Sequence, residues 1–81
     1  MGYLNVNDIA KKFIDWRNGQ GRLVSWTSFH ENKINDIRRD FENGKIQREE
    51  VAGRLIGAFD SLKIYLDSSE KRELEKMIKY Y

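Results

Sequence analysis

Arg48-Glu49-Glu50-Val51-Ala52-Gly53-Arg54-Leu55-Ile56-Gly57-Ala58-Phe59-Asp60-Ser61-Leu62-Lys63-Ile64-Tyr65-Leu66 is the stretch whose periodicity decides the fold. At about 100° per residue, Val51, Leu55, Ala58, Phe59, Leu62 and Leu66 fall within about 100° of one another. Such an arc is the buried stripe of an amphipathic helix. Gly53, Gly57 and Ile64 fall within about 40° of the opposite pole. Each glycine in a helix interior costs about 1 kcal/mol relative to alanine. That is large against a domain stability on the order of 5–10 kcal/mol. The spacing removes side-chain bulk from one face, so that another helix can approach closely. Three occupants of that face are open: a helix of the same chain, a second copy or partner protein, or solvent.

Three further helical segments flank this one. Val6, Ile9, Ala10, Phe13 and Ile14 recur at helical spacing and predict a helix from about Val6 to Arg17, with Asn5 as N-cap and Leu4 as hydrophobic staple onto Ile9. Asn18-Gly19 reads as its stop, with the glycine left-handed. Ile34, Ile37 and Phe41 mark a second helix that starts near Ser28, where Ser28 and Glu31 have capping-box spacing, and ends at Asn43-Gly44. Gln47 and Glu50 have the same spacing at the start of the 48–66 stretch. Asp67-Ser68-Ser69 predicts a break, because these side chains favour caps over helix interiors. A last helix, from Glu70 to Tyr80, carries Leu74, Met77, Ile78 and Tyr81. With no proline or glycine at the break, one continuous helix over 48–80 is the alternative.

The expected fold is therefore a single all-α domain over residues 1–81, a compact bundle of three or four short helices with the 48–66 helix central. Its core should include Ile9, Phe13, Ile14, Trp26, Ile34, Ile37, Phe41, Val51, Leu55, Phe59, Leu62, Leu66, Leu74 and Ile78.

Composition narrows the class. The chain has 81 residues, no cysteine and no proline, with 40% apolar and 35% charged residues. That is too apolar for a disordered tail and too charged for a membrane span. Without cysteine there is neither disulfide nor thiolate metal site, and a cytoplasmic protein is expected. Met1-Gly2-Tyr3-Leu4-Asn5-Val6 has no basic region followed by an apolar one, so no secretory leader is expected. The net charge of +2 comes from interleaved signs, whereas nucleic-acid binders concentrate positive charge on one face.

Candidate chemistry is sparse. Arg39 to Glu50 places Gly44 and Glu50 as a calcium loop would, but Arg39 and Phe41 stand where oxygen ligands are required. His30 is the only histidine and reads as a hydrogen-bonded structural residue rather than a metal ligand. No nucleophile, base and orienting carboxylate are spaced as a catalytic set. Enzymatic activity, cofactors and metals are not expected.

The leading expectation is a small non-enzymatic protein–protein interaction module, a regulator or inhibitor that binds another protein or a second copy of itself. Gly53, Gly57, Ser61, Ile64, Trp16, Tyr80 and Tyr81 are its candidate contact residues. The alternative is a nucleic-acid-binding helical protein that uses Arg17, Arg22, Arg38 and Arg39 with Trp26. Arginines contact phosphate and tryptophans stack on bases. Glu50–Arg54 and Glu75–Lys79 are expected as i,i+4 surface pairs.

Overall fold

Four helices form in the computed structural model, which describes residues 4–80: α1 (Val6–Gly19), α2 (Ser28–Glu42), α3 (Arg48–Ser61) and α4 (Ser68–Tyr80). No strand occurs among the described residues.

Side-chain caps fix where the helices start. The first N–H groups of a helix have no partner inside it, and a nearby oxygen or nitrogen acceptor relieves them. Asn5 Oδ1 accepts from the Asp8 N–H at 3.0 Å. The Gln47 N–H donates to the Glu50 carboxylate at 2.8 Å. Asp67 and Glu70 form a reciprocal box, each carboxylate accepting the other's backbone N–H at 2.8 and 2.9 Å. At α2 the box lies one residue earlier than the Ser28/Glu31 spacing predicts. Thr27 is the N-cap, and its N–H donates to Nδ1 of His30 at 3.2 Å. The imidazole does the work expected of a glutamate, because it stacks on Trp26 at 5.2 Å between centroids and is held there.

The helices also end by a shared device. In the Schellman motif the chain turns left-handed one residue past the cap, and two backbone N–H groups reach back to the last turn. Gly21 (φ 90°) does this after α1 and Gly44 (φ 76°) after α2. The bonds are Arg22 N–H to the Arg17 carbonyl and Lys45 N–H to the Asp40 carbonyl. Gly19, the expected stop, is helical; the left-handed residue is two positions later.

The third helix is shorter than its periodicity predicts. Lys63 adopts φ 66°, and the Ile64 N–H bonds back to the Phe59 carbonyl at 2.8 Å. The helix therefore stops at Ser61, and the continuous helix over 48–80 does not form. Beyond the left-handed step Ile64 is buried. The apolar pay-off of burying an isoleucine is on the order of 2 kcal/mol, comparable to the roughly 1–2 kcal/mol cost of a non-glycine residue in this conformation.

Neighbouring helices pack in a ring, α1 on α2, α2 on α3, α3 on α4 and α4 back on α1. The short connections make each neighbour antiparallel. One end of the bundle thus gathers the end of α1, the start of α2, the end of α3 and the start of α4. Phe13 and Phe59, both fully buried, stack across the middle at 5.7 Å, and Trp26 meets Phe59 edge-on at 6.4 Å. Leu4, Val6, Ala10, Ile46, Ala58 and Ile64 complete the buried core beyond the residues expected. Trp26, Phe41, Leu62 and Leu66 are only partly buried at its edge.

Two expected surface pairs are replaced. Glu50 turns back to cap α3, and Arg54 reaches Asp40 of α2 at 3.8 Å. Lys79 places its ammonium 5.4 Å from the Tyr80 ring rather than on Glu75.

Candidate interaction surface

The glycine face of α3 is open. A Cβ built on Gly53 or Gly57 would meet nothing within 4 Å, and both residues are exposed. No other helix of this chain comes within 4 Å of those two Cβ positions. Beside the glycines runs a cleft of about 460 Å³ lined by Gly53, Ile56, Gly57, Asp60, Ile64, Tyr65, Leu66 and Lys71. Apolar Ile56, Ile64 and Leu66 share its lining with charged Asp60 and Lys71, and Tyr65, which also lines it, has 56% of its surface exposed. Ser61 does not join it: its hydroxyl donates to the Gly57 carbonyl at 3.1 Å on the same helix.

A second cleft, of about 410 Å³, lies toward the other end of α3 and α4. Arg48, Glu49, Ala52, Glu75, Ile78 and Lys79 line it. The Arg48 guanidinium donates to the Ile78 carbonyl at 2.7 and 3.2 Å, tying the start of α3 to the end of α4.

The remaining expected contact residues are scattered. Trp16 is half-buried on α1 against Phe13. Tyr80 is exposed in the last turn of α4, at the end of the bundle away from Tyr65. Tyr81 lies outside the described residues. The structure instead shows two exposed apolar residues that sequence reasoning did not single out, Leu23 at 78% and Phe29 at 70%. Both lie at the Tyr65 end, since the Arg17 guanidinium donates to the carbonyls of both Arg22 and Tyr65. Phe29 was legible: it stands about 140° around α2 from Ile34, off the buried stripe.

The arginines named for nucleic-acid contact are largely engaged within the fold. Arg17 is buried, with Nε 3.0 Å from Glu70 Oε2. Arg22 bridges Glu70 at 3.0 Å and Asp67 at 3.2 Å. Arg39 pairs with Asp36. Arg38 is half-buried between α1 and α2 beside a polar cleft, with its Nε enclosed and unpartnered. Trp26 packs into the aromatic core.

Among the described residues, no group of three or more His, Cys, Asp or Glu side chains is placed to hold a metal ion, and no helix is long and apolar enough to cross a membrane. No family model, curated protein or solved structure matches the chain.

Proposed function

We propose that this protein is a small interaction module that works by binding another protein on the Gly53/Gly57 side of α3. The observation that carries the reading is the open glycine face. Two interior glycines lower helix stability, yet nothing inside the chain packs against them. Apolar side chains of Ile56, Ile64 and Leu66 line the cleft next to them, together with Asp60 and Lys71. Removing water from the apolar side chains favours association, and absent side chains let a partner backbone come close. The nucleic-acid alternative has less support, because Arg17 and Arg22 are held in internal ion pairs.

The test is affinity capture from lysate of the source organism, with the full chain and its Gly57→Arg variant as baits, with and without nuclease. The reading expects a protein captured by the parent, resistant to nuclease and lost with Gly57→Arg. Capture that disappears on nuclease treatment would move the assignment to nucleic acid. Capture undiminished by Gly57→Arg would remove the glycine face from the account.

A further inference from the structure

Two of the six asparagines are followed by glycine, Asn18-Gly19 and Asn43-Gly44. Such a pair is chemically reactive. The glycine nitrogen can attack Cγ of the asparagine, and the missing glycine side chain leaves that approach unhindered. The fold gives the two pairs opposite surroundings. The Asn18 carboxamide is clamped: Oδ1 accepts the Val24 N–H at 2.8 Å and Nδ2 donates to the Val24 carbonyl at 3.4 Å. Asn18 is half-buried, Gly19 is still inside α1, and the preceding Arg17 is anchored by Glu70. Turning Cγ of Asn18 toward the Gly19 nitrogen would break both bonds to Val24 and unwind an anchored helix end.

Asn43 is the C-cap of α2, and both it and Gly44 are exposed. Its backbone N–H donates to the Arg39 carbonyl at 2.9 Å, and its carboxamide has no hydrogen-bond partner among the described residues. The Gly44 N–H donates to the Phe41 carbonyl at 3.2 Å, and a Cβ built on Gly44 would meet nothing within 4 Å. With Asn43 at φ −87° and ψ 3°, Cγ must still swing round to face that nitrogen. The swing takes place at a helix end, where local opening costs least.

We propose that Asn43 is a site of spontaneous modification, deamidation through a cyclic imide with Gly44, and that the Val24 clamp protects Asn18 from the same reaction. Hydroxide or a buffer base takes the Gly44 amide proton, and the nitrogen forms a bond to Cγ of Asn43. The Cγ–Nδ2 bond breaks, and Nδ2 leaves as ammonia with a proton from solvent. Water then opens the imide. Cleavage between Cγ and the Gly44 nitrogen gives aspartate. Cleavage between that nitrogen and the former main-chain carbonyl gives isoaspartate, whose chain runs on through Cγ. One water is consumed and one ammonia released, with no oxidation or reduction. Either product puts a carboxylate at the C-terminal end of α2, where the helix dipole is already negative. Isoaspartate also lengthens the backbone inside the turn that holds the Lys45 N–H on the Asp40 carbonyl at 2.8 Å and leads into buried Ile46. Modification therefore loosens the corner between α2 and α3.

The test holds the full chain in warm, mildly alkaline buffer made with heavy-oxygen water, with and without urea. Digestion and mass spectrometry with electron-transfer fragmentation then follow each asparagine. In the folded chain the Asn43 peptide should take up heavy oxygen, as isoaspartate and aspartate, about tenfold faster than the Asn18 peptide. In urea both should convert at similar rates, because the reacting pair is the same. Asn18 converting in the folded chain as fast as Asn43 overturns the protection by Val24. Asn43 staying intact in the folded chain while it converts in urea overturns the modification site. The modified chain, one charge below the parent's +2, separates on ion exchange and should melt at a lower temperature than the parent. An unchanged melting temperature overturns the loosening of the corner.

Discussion

Nε of Arg17 lies 3.0 Å from Oε2 of Glu70, with both side chains almost wholly buried. The pair joins the last turn of α1 to the first turn of α4 across 53 residues of chain. Glu70 Oε1 is also occupied, by Arg22 at 3.0 Å and by the Asp67 N–H at 2.9 Å. Arg17 Nη1 and Nη2 donate to the carbonyls of Arg22 and Tyr65. Taking charges out of water is costly, and hydrogen bonds of this kind make it tolerable. The end of the bundle nearest Tyr65 is therefore organised by one ionic cluster.

Removing one partner strands the other. Glu70→Leu should lower the unfolding free energy by about 3–5 kcal/mol, because Arg17 stays buried without a counter-charge. Arg17→Met should cost less, since Arg22 still reaches Glu70. The double variant should be more stable than the sum of the single losses implies, with a coupling of about 2 kcal/mol in urea melts. Strictly additive losses would contradict a direct buried pair.

Lys63 is the one non-glycine residue with positive φ among the described residues. Lys63→Gly should raise stability by about 1 kcal/mol, since glycine adopts the left-handed conformation without a Cβ clash. For a domain of this size that is a rise of roughly 4–8 °C in Tm. The side chain is exposed, so little packing is lost with it. A lowered Tm would mean that the lysine contributes something other than the turn.

His30 acts as the acceptor that starts α2. His30→Ala should cost about 1 kcal/mol by freeing the Thr27 N–H and removing the stack on Trp26. The amide of Thr27 should then exchange with solvent faster than in the parent, measured by hydrogen exchange. Unchanged exchange at Thr27 would place the start of α2 under the control of other contacts.

The helices themselves were legible because local signals agree. Asn5, Gln47/Glu50 and Asn43-Gly44 are read from neighbours within a few residues, and the stripes of α1, α2 and α4 repeat cleanly. The end of α3 was not. Ile64 fits the helical wheel of the preceding stretch, and no glycine marks the turn at Lys63, so wheel arithmetic carried the helix too far. That error placed Ile64 on a continued helix, whereas it is buried beyond the turn and lines the cleft beside the glycines. The ionic cluster was illegible for a different reason: Arg17, Arg22 and Glu70 meet only through tertiary packing. The spacing of Gly53 and Gly57 was plain in the sequence, but whether anything covers them depends on where α4 turns.

The central claim is that nothing within this chain needs the smallness of Gly53 and Gly57. Urea unfolding of Gly53→Ala/Gly57→Ala tests it most directly. With both Cβ positions in open space and helical backbone at each, alanine should raise the unfolding free energy by about 1.5–2 kcal/mol for the pair. A loss of stability would contradict the account, since it would show that the chain itself packs against the glycine face.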